Sequence, residues 1–413
     1  MQKLLIVIAL ICFSLATAAP HHGRHHPHGS GHHHRSRRSD QNPSGGVEHS
    51  ESSGEDHPRS RRSDQVPAAG GEHSESSGED HSGSSAEHHS ESSGQDHSES
   101  SGEDHPRSRL NIPANATWKQ DGVTAAGGNG QGDVTNQLYL PYGLFVDDDQ
   151  TVVIADHVNH RIMQWKNGDT TNGQVVAGGK DEGNGLHQLN GPTDVLIDKE
   201  TDSLIICDQG NRRVVRWSRR SGTTQGEILI DNNDCYGVAM DEQRYLYVSD
   251  ERKHDVRRYQ LGEKNYTLVA GGNGEGDGPN QLDGPTYLFI DRDHSVYVSD
   301  NNNHRVTKWN KGAKEGIVAA GGQDKRNALT QLSYPNGIFV DTLGTRYVAD
   351  SGNHRVMRWT QGDKKQGTVI VGGNGKGEGA NQLSYPLGLS FDRHGSLYVV
   401  GHVNNRVQRF SIE

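Results

Sequence analysis

Hydrophobic and polar positions alternate in short bursts along the C-terminal three quarters of the chain. The clearest burst is VVIADHVNHRIMQW, Val152 to Trp165, which returns as LIICDQGNRRVVRW, YVSDERKHDVRRY, VYVSDNNNHRVTKW, YVADSGNHRVMRW and LYVVGHVNNRVQRF. A segment such as GLFVD precedes each burst, and one such as VVAGG follows it. Val, Ile, Tyr and Trp dominate runs too short for helices, and turns rich in Gly, Asn and Asp separate them. Each unit therefore predicts four short strands. The aromatics closing the third strand, Trp165, Trp217, Tyr259, Trp309, Trp359 and Phe410, stand 52, 42, 50, 50 and 51 positions apart.

One such sheet cannot bury both faces alone, whereas six stacked radially can, which is the logic of a β-propeller. The expected fold is all-β, with six blades of four strands. VTAAGG, Val123 to Gly128, matches a fourth strand but has no unit before it, while the last unit ends at Phe410, near the C-terminus. The N-terminal strand is thus expected to complete the sixth blade and remove an exposed edge.

The alternation P-x-G-hydrophobic-x-hydrophobic-D, then Y-V-A-D, then N-H-R-V-x-R-W resembles the NHL-repeat family from about Trp118 to Glu413. The resemblance implies a six-bladed propeller. It implies no single activity, since the family includes lyases, RNA-binding regulators, sensor domains and adhesion-type modules.

Composition divides the chain into three parts. Residues 1–19 carry Lys3, an apolar run from Leu4 to Leu15 and the small residues Ala16-Thr17-Ala18, the pattern of a secretory signal peptide. The mature protein is therefore expected to be secreted and extracellular, with no membrane span. Residues 20–109 are His, Ser, Glu, Asp, Gly and Arg with few large apolar side chains, and HSESSGED-like units recur at His49, His73, His89 and His97. Such a segment has nothing to offset the entropy of ordering, so it reads as a disordered low-complexity tail. Residues 110–413 hold the repeats.

The tail supports several chemical readings. His21, His22, His25, His26, His28, His32, His33 and His34 could bind Zn, Cu or Ni weakly, without fixed geometry and only while the imidazoles are neutral. Ser53, Ser77, Ser85 and Ser101, each two residues before a Glu, resemble kinase acceptors; Arg35-Ser36-Arg37-Arg38 and Arg59-Ser60-Arg61-Arg62 resemble processing-protease sites. The formal net charge of −11, from 42 Lys and Arg against 53 Asp and Glu, argues against a nucleic-acid partner.

Comparing the six units with one another separates architecture from candidate function. Asp147, Asp198, Asp241, Asp291, Asp341 and Asp392 close the first strand and read as turn formers. Asp156, Asp208, Asp250, Asp300 and Asp350 close the second strand. Arg161, Arg213, Arg305, Arg355 and Arg406 follow, so an Asp–Arg pair in each blade is the expectation. His160, His304 and His354 occupy an ordinary repeat position in separate blades, too far apart to share an ion. The loops GGNGQGDVTNQL, GGNGEGDGPNQL and GGNGKGEGANQL hold too few acids for calcium and lead into no helix that could hold phosphate.

The first strands begin PYG, PTD, CYG, PTY, PNG and PLG, and the loops after the second strands share their face. Tyr142, Thr193, Asp194, Tyr236, Thr286, Tyr287 and Asn336 are therefore the candidate ligand-binding residues at the channel mouth. Two units break the pattern. In the third, Asp255 replaces the Arg beside Glu251, Arg252, Lys253 and His254, and ILIDNNDC lacks the long Gly-rich loop, leaving a lower, more open side. In the sixth, Gly401 replaces the Asp, and His402 follows.

Cys207 and Cys235 form an even pair once Cys12 is removed with the signal peptide. They fall on one face in adjacent blades, so a disulfide is expected. Asn115 and Asn265 begin N-glycosylation sequons. These readings favour a secreted interaction module for a protein, peptide or glycan, with no resident cofactor predicted and no catalytic residues assigned. A metal-dependent enzyme similar to the peptide-amidating lyase or a lactonase is one alternative; a metal-binding or mineral-associated polyelectrolyte tail is the other.

Overall fold

The structure is a computed structural model that describes residues 110–169, 171–361 and 366–413; the predicted signal peptide, the tail and its His cluster lie outside the described residues. The described chain forms six four-stranded antiparallel sheets. Blade 1 is β2 (Leu144–Val146), β3 (Val152–Asp156), β4 (Arg161–Trp165) and β5 (Gln174–Gly178). Blade 2 is β6 (Pro192–Asp198), β7 (Ser203–Asp208), β8 (Arg213–Ser218) and β9 (Glu227–Asp231). Blade 3 is β10 (Cys235–Met240), β11 (Tyr245–Asp250), β12 (Asp255–Gln260) and β13 (Tyr266–Gly271). Blade 4 is β14 (Pro285–Ile290), β15 (Val296–Asp300), β16 (Arg305–Trp309) and β17 (Ile317–Gly321). Blade 5 is β18 (Pro335–Val340), β19 (Arg346–Asp350), β20 (Arg355–Trp359) and β21 (Thr368–Gly372).

Blade 6 consists of β22 (Pro386–Phe391), β23 (Leu397–Gly401), β24 (Arg406–Phe410) and, as its outer strand, β1 (Val123–Gly127). The closure expected from the sequence is present, with Val123 opposite Arg409 and Gly127 opposite Arg406. It extends beyond the sheet. Trp118 is 2 % exposed and donates its indole N–H to Gly395 O at 2.9 Å, and the Glu413 N–H donates to Thr117 O.

The apolar core lies between blades. The closing aromatics Trp165, Trp217, Tyr259, Trp309, Trp359 and Phe410 are all buried. Gly316, just before the fourth strand of blade 4, lies against the Trp309 ring so closely that a Cβ there would sit 2.7 Å from it. The same closeness explains the Gly-bearing turn after the closing aromatic.

Polar chemistry fixes the long loops that lead into the blades. In blade 1 the Asp156 carboxylate accepts from Arg161 Nε at 2.7 Å, from Asn159 Nδ2 at 2.8 Å and from the Tyr139 N–H at 2.7 Å. Arg161 then turns its outer nitrogens onto the carbonyls of Asp133, Val134 and Gln137 in the incoming loop. Asp208–Arg213, Asp300–Arg305 and Asp350–Arg355 repeat the arrangement, each with its own loop. The four carboxylates are fully buried, and burial, the largest influence, holds all four above the ordinary carboxyl range despite their donors.

Blade 3 has no long incoming loop and no Arg at this position. Asp250 is approached instead by Arg257 Nη1 at 3.2 Å, and Arg257 also binds Asp255 at 2.8 Å. In blade 6 Gly401 supplies no carboxylate, and Arg406 Nε has no hydrogen-bond partner.

Arg305→Met strands a buried carboxylate and should cost about 3–5 kcal/mol. Arg216→Ala, which breaks an exposed pair with Glu227, should cost at most about 1 kcal/mol. Urea denaturation of both variants checks the contrast. Deleting residues 118–128 should abolish the cooperative thermal transition; a retained transition would contradict the closure.

Candidate functional site

Antiparallel topology places the starts of the first strands and the loops after the second strands on one face. The residue immediately after each second strand is His157, Gln209, Glu251, Asn301, Ser351 or His402. Four of them bond the carbonyl of the Pro that begins the next blade. His157 Nδ1 lies 3.2 Å from Pro192 O, His402 Nδ1 lies 3.1 Å from Pro141 O, Asn301 Nδ2 donates to Pro335 O at 2.9 Å, and Ser351 Oγ donates to Pro386 O. A carbonyl only accepts, so Nδ1 carries the proton in both histidines and Nε2 is left as an acceptor.

The other two break the series at the joint of blades 2 and 3. Gln209 Nε2 donates to Glu251 Oε2 at 3.1 Å, and Cys235 stands where the other blades have Pro. Cys207 and Cys235 form the expected disulfide, which ties these two blades together on this face.

Tyr142 gathers the remaining groups. His157 stacks on its ring at 4.2 Å between centroids, His402 meets it edge-on at 5.0 Å, and Tyr236 lies 5.9 Å away. Burial pushes the Tyr142 phenol up to about 12, and the Glu251 charge adds to the effect. Burial also pushes the His157 and His402 imidazoles down to about 4, so both are neutral across the physiological range. Glu251 is itself raised, first by burial and then by the Asp234 charge.

The predicted site residues separate into three settings. Tyr142 is partly exposed at the mouth, with Tyr236 beneath it at 8 % exposure. Tyr287 and Asp194 lie deeper: Tyr287 crosses to donate to Thr193 O at 3.3 Å and packs on Tyr236 at 5.4 Å, while Asp194 accepts from the Val238 N–H at 3.0 Å. Both line an inner cavity of about 160 Å³ that also touches Phe289 and Phe339 and shares neither Tyr142 nor the two histidines. Thr193, Thr286 and Asn336 are buried; Thr193 Oγ1 contacts Cys207 Sγ and Asn336 Nδ2 donates to Ser351 Oγ, each within its own blade. They hold the same place in their units as Tyr142 and Tyr236 but have shorter side chains, and adjacent first strands run close together in all these blades. The Gly143 N–H bonds Thr193 O at 3.0 Å, and a Cβ on Gly337 would meet Leu387 O at 2.5 Å. Sequence reasoning missed His157, Gln209, Asn301 and Ser351. Their signal was a position that changes in every unit directly after a nearly constant Asp.

A second set of histidines carries the opposite tautomer. His160, His254, His304 and His354 adopt positive φ, and each accepts at Nδ1 from a backbone N–H of the next blade, of Gly191, Gly284, Tyr334 and Tyr385. These are interblade fasteners. Among the described residues no three His, Cys, Asp or Glu side chains are gathered as metal ligands, and no helix is long and apolar enough to cross a membrane. Asn115 and Asn265 are both exposed.

No family model and no curated protein matches the chain. Solved structures do. A structural genomics protein of unknown function from Bacteroides thetaiotaomicron is similar at 18% identity and TM-score 0.57, over 71% of this chain and 76% of that one. An auxiliary nutrient binding protein from the same organism gives 15% and 0.56 over 71% and 76%. A gluconolactonase from Xanthomonas campestris gives 15% and 0.51 over 74% and 100%. The likeness is one of fold, the β-propeller.

His157 and His402 bind protons more weakly folded than unfolded, where the ordinary value is 6.5. Their stabilisation is therefore complete above about pH 6.5 and is lost as pH falls toward about 4. The thermal midpoint should drop through that window. The double variant His157→Gln, His402→Gln should flatten the drop, leaving the part due to His304 and His354, whose imidazoles burial also lowers.

Proposed function

We propose that this chain is an exported interaction module of the NHL type that takes a protein, peptide or glycan ligand at the channel mouth formed by Tyr142, Tyr236, His157, His402, Gln209 and Glu251. One observation carries the reading. Blades 1, 2, 3 and 6 bring a partly exposed aromatic ring, two neutral imidazole acceptors, an amide and a carboxylate together where the other two blades carry only Asn301 and Ser351. A face with an aromatic anchor and a few converging polar groups is what recognition uses. A buried disulfide and two exposed sequon asparagines are in keeping with export.

Probing the full chain on peptide and glycan arrays tests the proposal. A retained ligand should lose roughly thirtyfold or more in affinity with Tyr142→Ala, the loss expected of an anchoring aromatic. A ligand bound equally well by Tyr142→Ala would place recognition elsewhere.

A further inference from the structure

The joint of blades 2 and 3 differs from the other joints in several linked ways. In blades 1, 2, 4, 5 and 6 a loop of this chain lies across the face, held by an Asn and an Arg that follow the second strand, in blade 6 by Asn404 and Arg406. Asn159, Asn211, Asn303 and Asn353 donate to loop carbonyls, as do Arg161, Arg213, Arg305 and Arg355. In blade 3 the loop is replaced by the short connection Asn232-Asn233-Asp234, and both gripping residues change, to Lys253 and Asp255. Asp250 Oδ2, the atom that accepts from Asn and Arg in the other blades, is buried here without a hydrogen bond; its nearest cations are Arg257 at 3.2 Å and Lys253 at 3.8 Å.

Buried acids and exposed cations meet at this joint, with Arg257 buried between Asp250 and Asp255 and Asp231 exposed beside the connection. Three acids are inside: the side chains of Asp234, Asp250 and Asp255 are 10 %, 0 % and 8 % exposed. Three cations are outside: Arg212, Arg252 and Lys253 are 47 %, 51 % and 48 % exposed. Asp234 pairs with both arginines through their Nε atoms, at 3.0 Å to Arg212 and 3.5 Å to Arg252. These three are the only Lys or Arg side chains in the six short loops after the second strands, where the remaining blades carry His, Asn, Ser, Gly and Val.

We propose that this joint is a docking seat for an acidic peptide segment of a partner protein, laid where the other blades hold a loop of this chain. The repeat itself argues for a peptide, because peptide backbone fills the equivalent position in the other five blades. The substitutions argue for acidic side chains, because paired guanidinium forks and an ammonium bind carboxylates in charge-assisted hydrogen bonds. On a chain of net charge −11, such a cationic spot also sets the register of an acidic partner that the rest of the surface repels. The seat shares a face with the proposed mouth site but does not depend on it.

The test is fluorescence anisotropy of the full chain with a labelled peptide of alternating Glu and Gly, its Gln counterpart and a sulfated heparin oligosaccharide. The Glu peptide should bind saturably, weaken with salt and lose at least about tenfold in affinity with Arg252→Glu plus Lys253→Glu, in protein whose thermal midpoint shows that it is folded. The Gln peptide should not bind, and Tyr142→Ala should leave the affinity unchanged, which separates this seat from the mouth. Absence of saturable binding, or equal binding by the charge-reversed variant with an unaltered thermal midpoint, would overturn the proposal. So would a heparin oligosaccharide that binds more tightly and displaces the peptide, since the seat would then belong to an anionic glycan.

Discussion

The interaction on which the rest of the structure depends is the buried Asp–Arg pair at the end of the second strand in blades 1, 2, 4 and 5. Its electrostatics alone do not explain its recurrence, since burial raises the carboxyls of Asp156, Asp208, Asp300 and Asp350 in spite of the neighbouring cations. Its value is geometric. One carboxylate receives an Arg, an Asn and a backbone N–H, and the Arg passes the constraint on to three carbonyls of a loop with little apolar side chain of its own. A Gly-rich loop that would otherwise sample many conformations is thereby held in one.

Where the pair is altered, the face changes character. Blade 3 loses the loop and both residues that grip it, and a disulfide at the same joint holds blades 2 and 3 where no loop covers the seam. Blade 6 loses the carboxylate and gains His402, whose ring closes on Tyr142. The departures from the repeat fall around the channel mouth, so the asymmetry of an otherwise sixfold ring is concentrated where a ligand would meet it.

The fold was legible because a propeller writes its period into the chain: buried aromatics near every fiftieth position, a stray fourth strand before the first unit, and an Asp at each strand end. The joining of Cys207 to Cys235 was legible for the same reason, since strand polarity put both on one face. The mouth was only partly legible. Tyr142 and Tyr236 do approach one another, but Thr193, Thr286 and Asn336, at the same place in their units, have shorter side chains and are buried, an outcome that the spacing of the sequence does not encode. His157 and Gln209 escaped notice because a variable residue after a nearly constant Asp looks like loop drift until the structure shows it bonded to the next blade.

Amide hydrogen exchange tests the account's central claim most directly. The N–H groups of Tyr139, Asn190, Asp283 and Ser333 each donate to a buried carboxylate of the pair. They should exchange as slowly as amides of the central strands, although they lie in loops, while the exposed amides at the loop tips exchange fast. Exchange of these four at the rate of the loop tips would contradict the claim that the Asp–Arg pairs hold the face together.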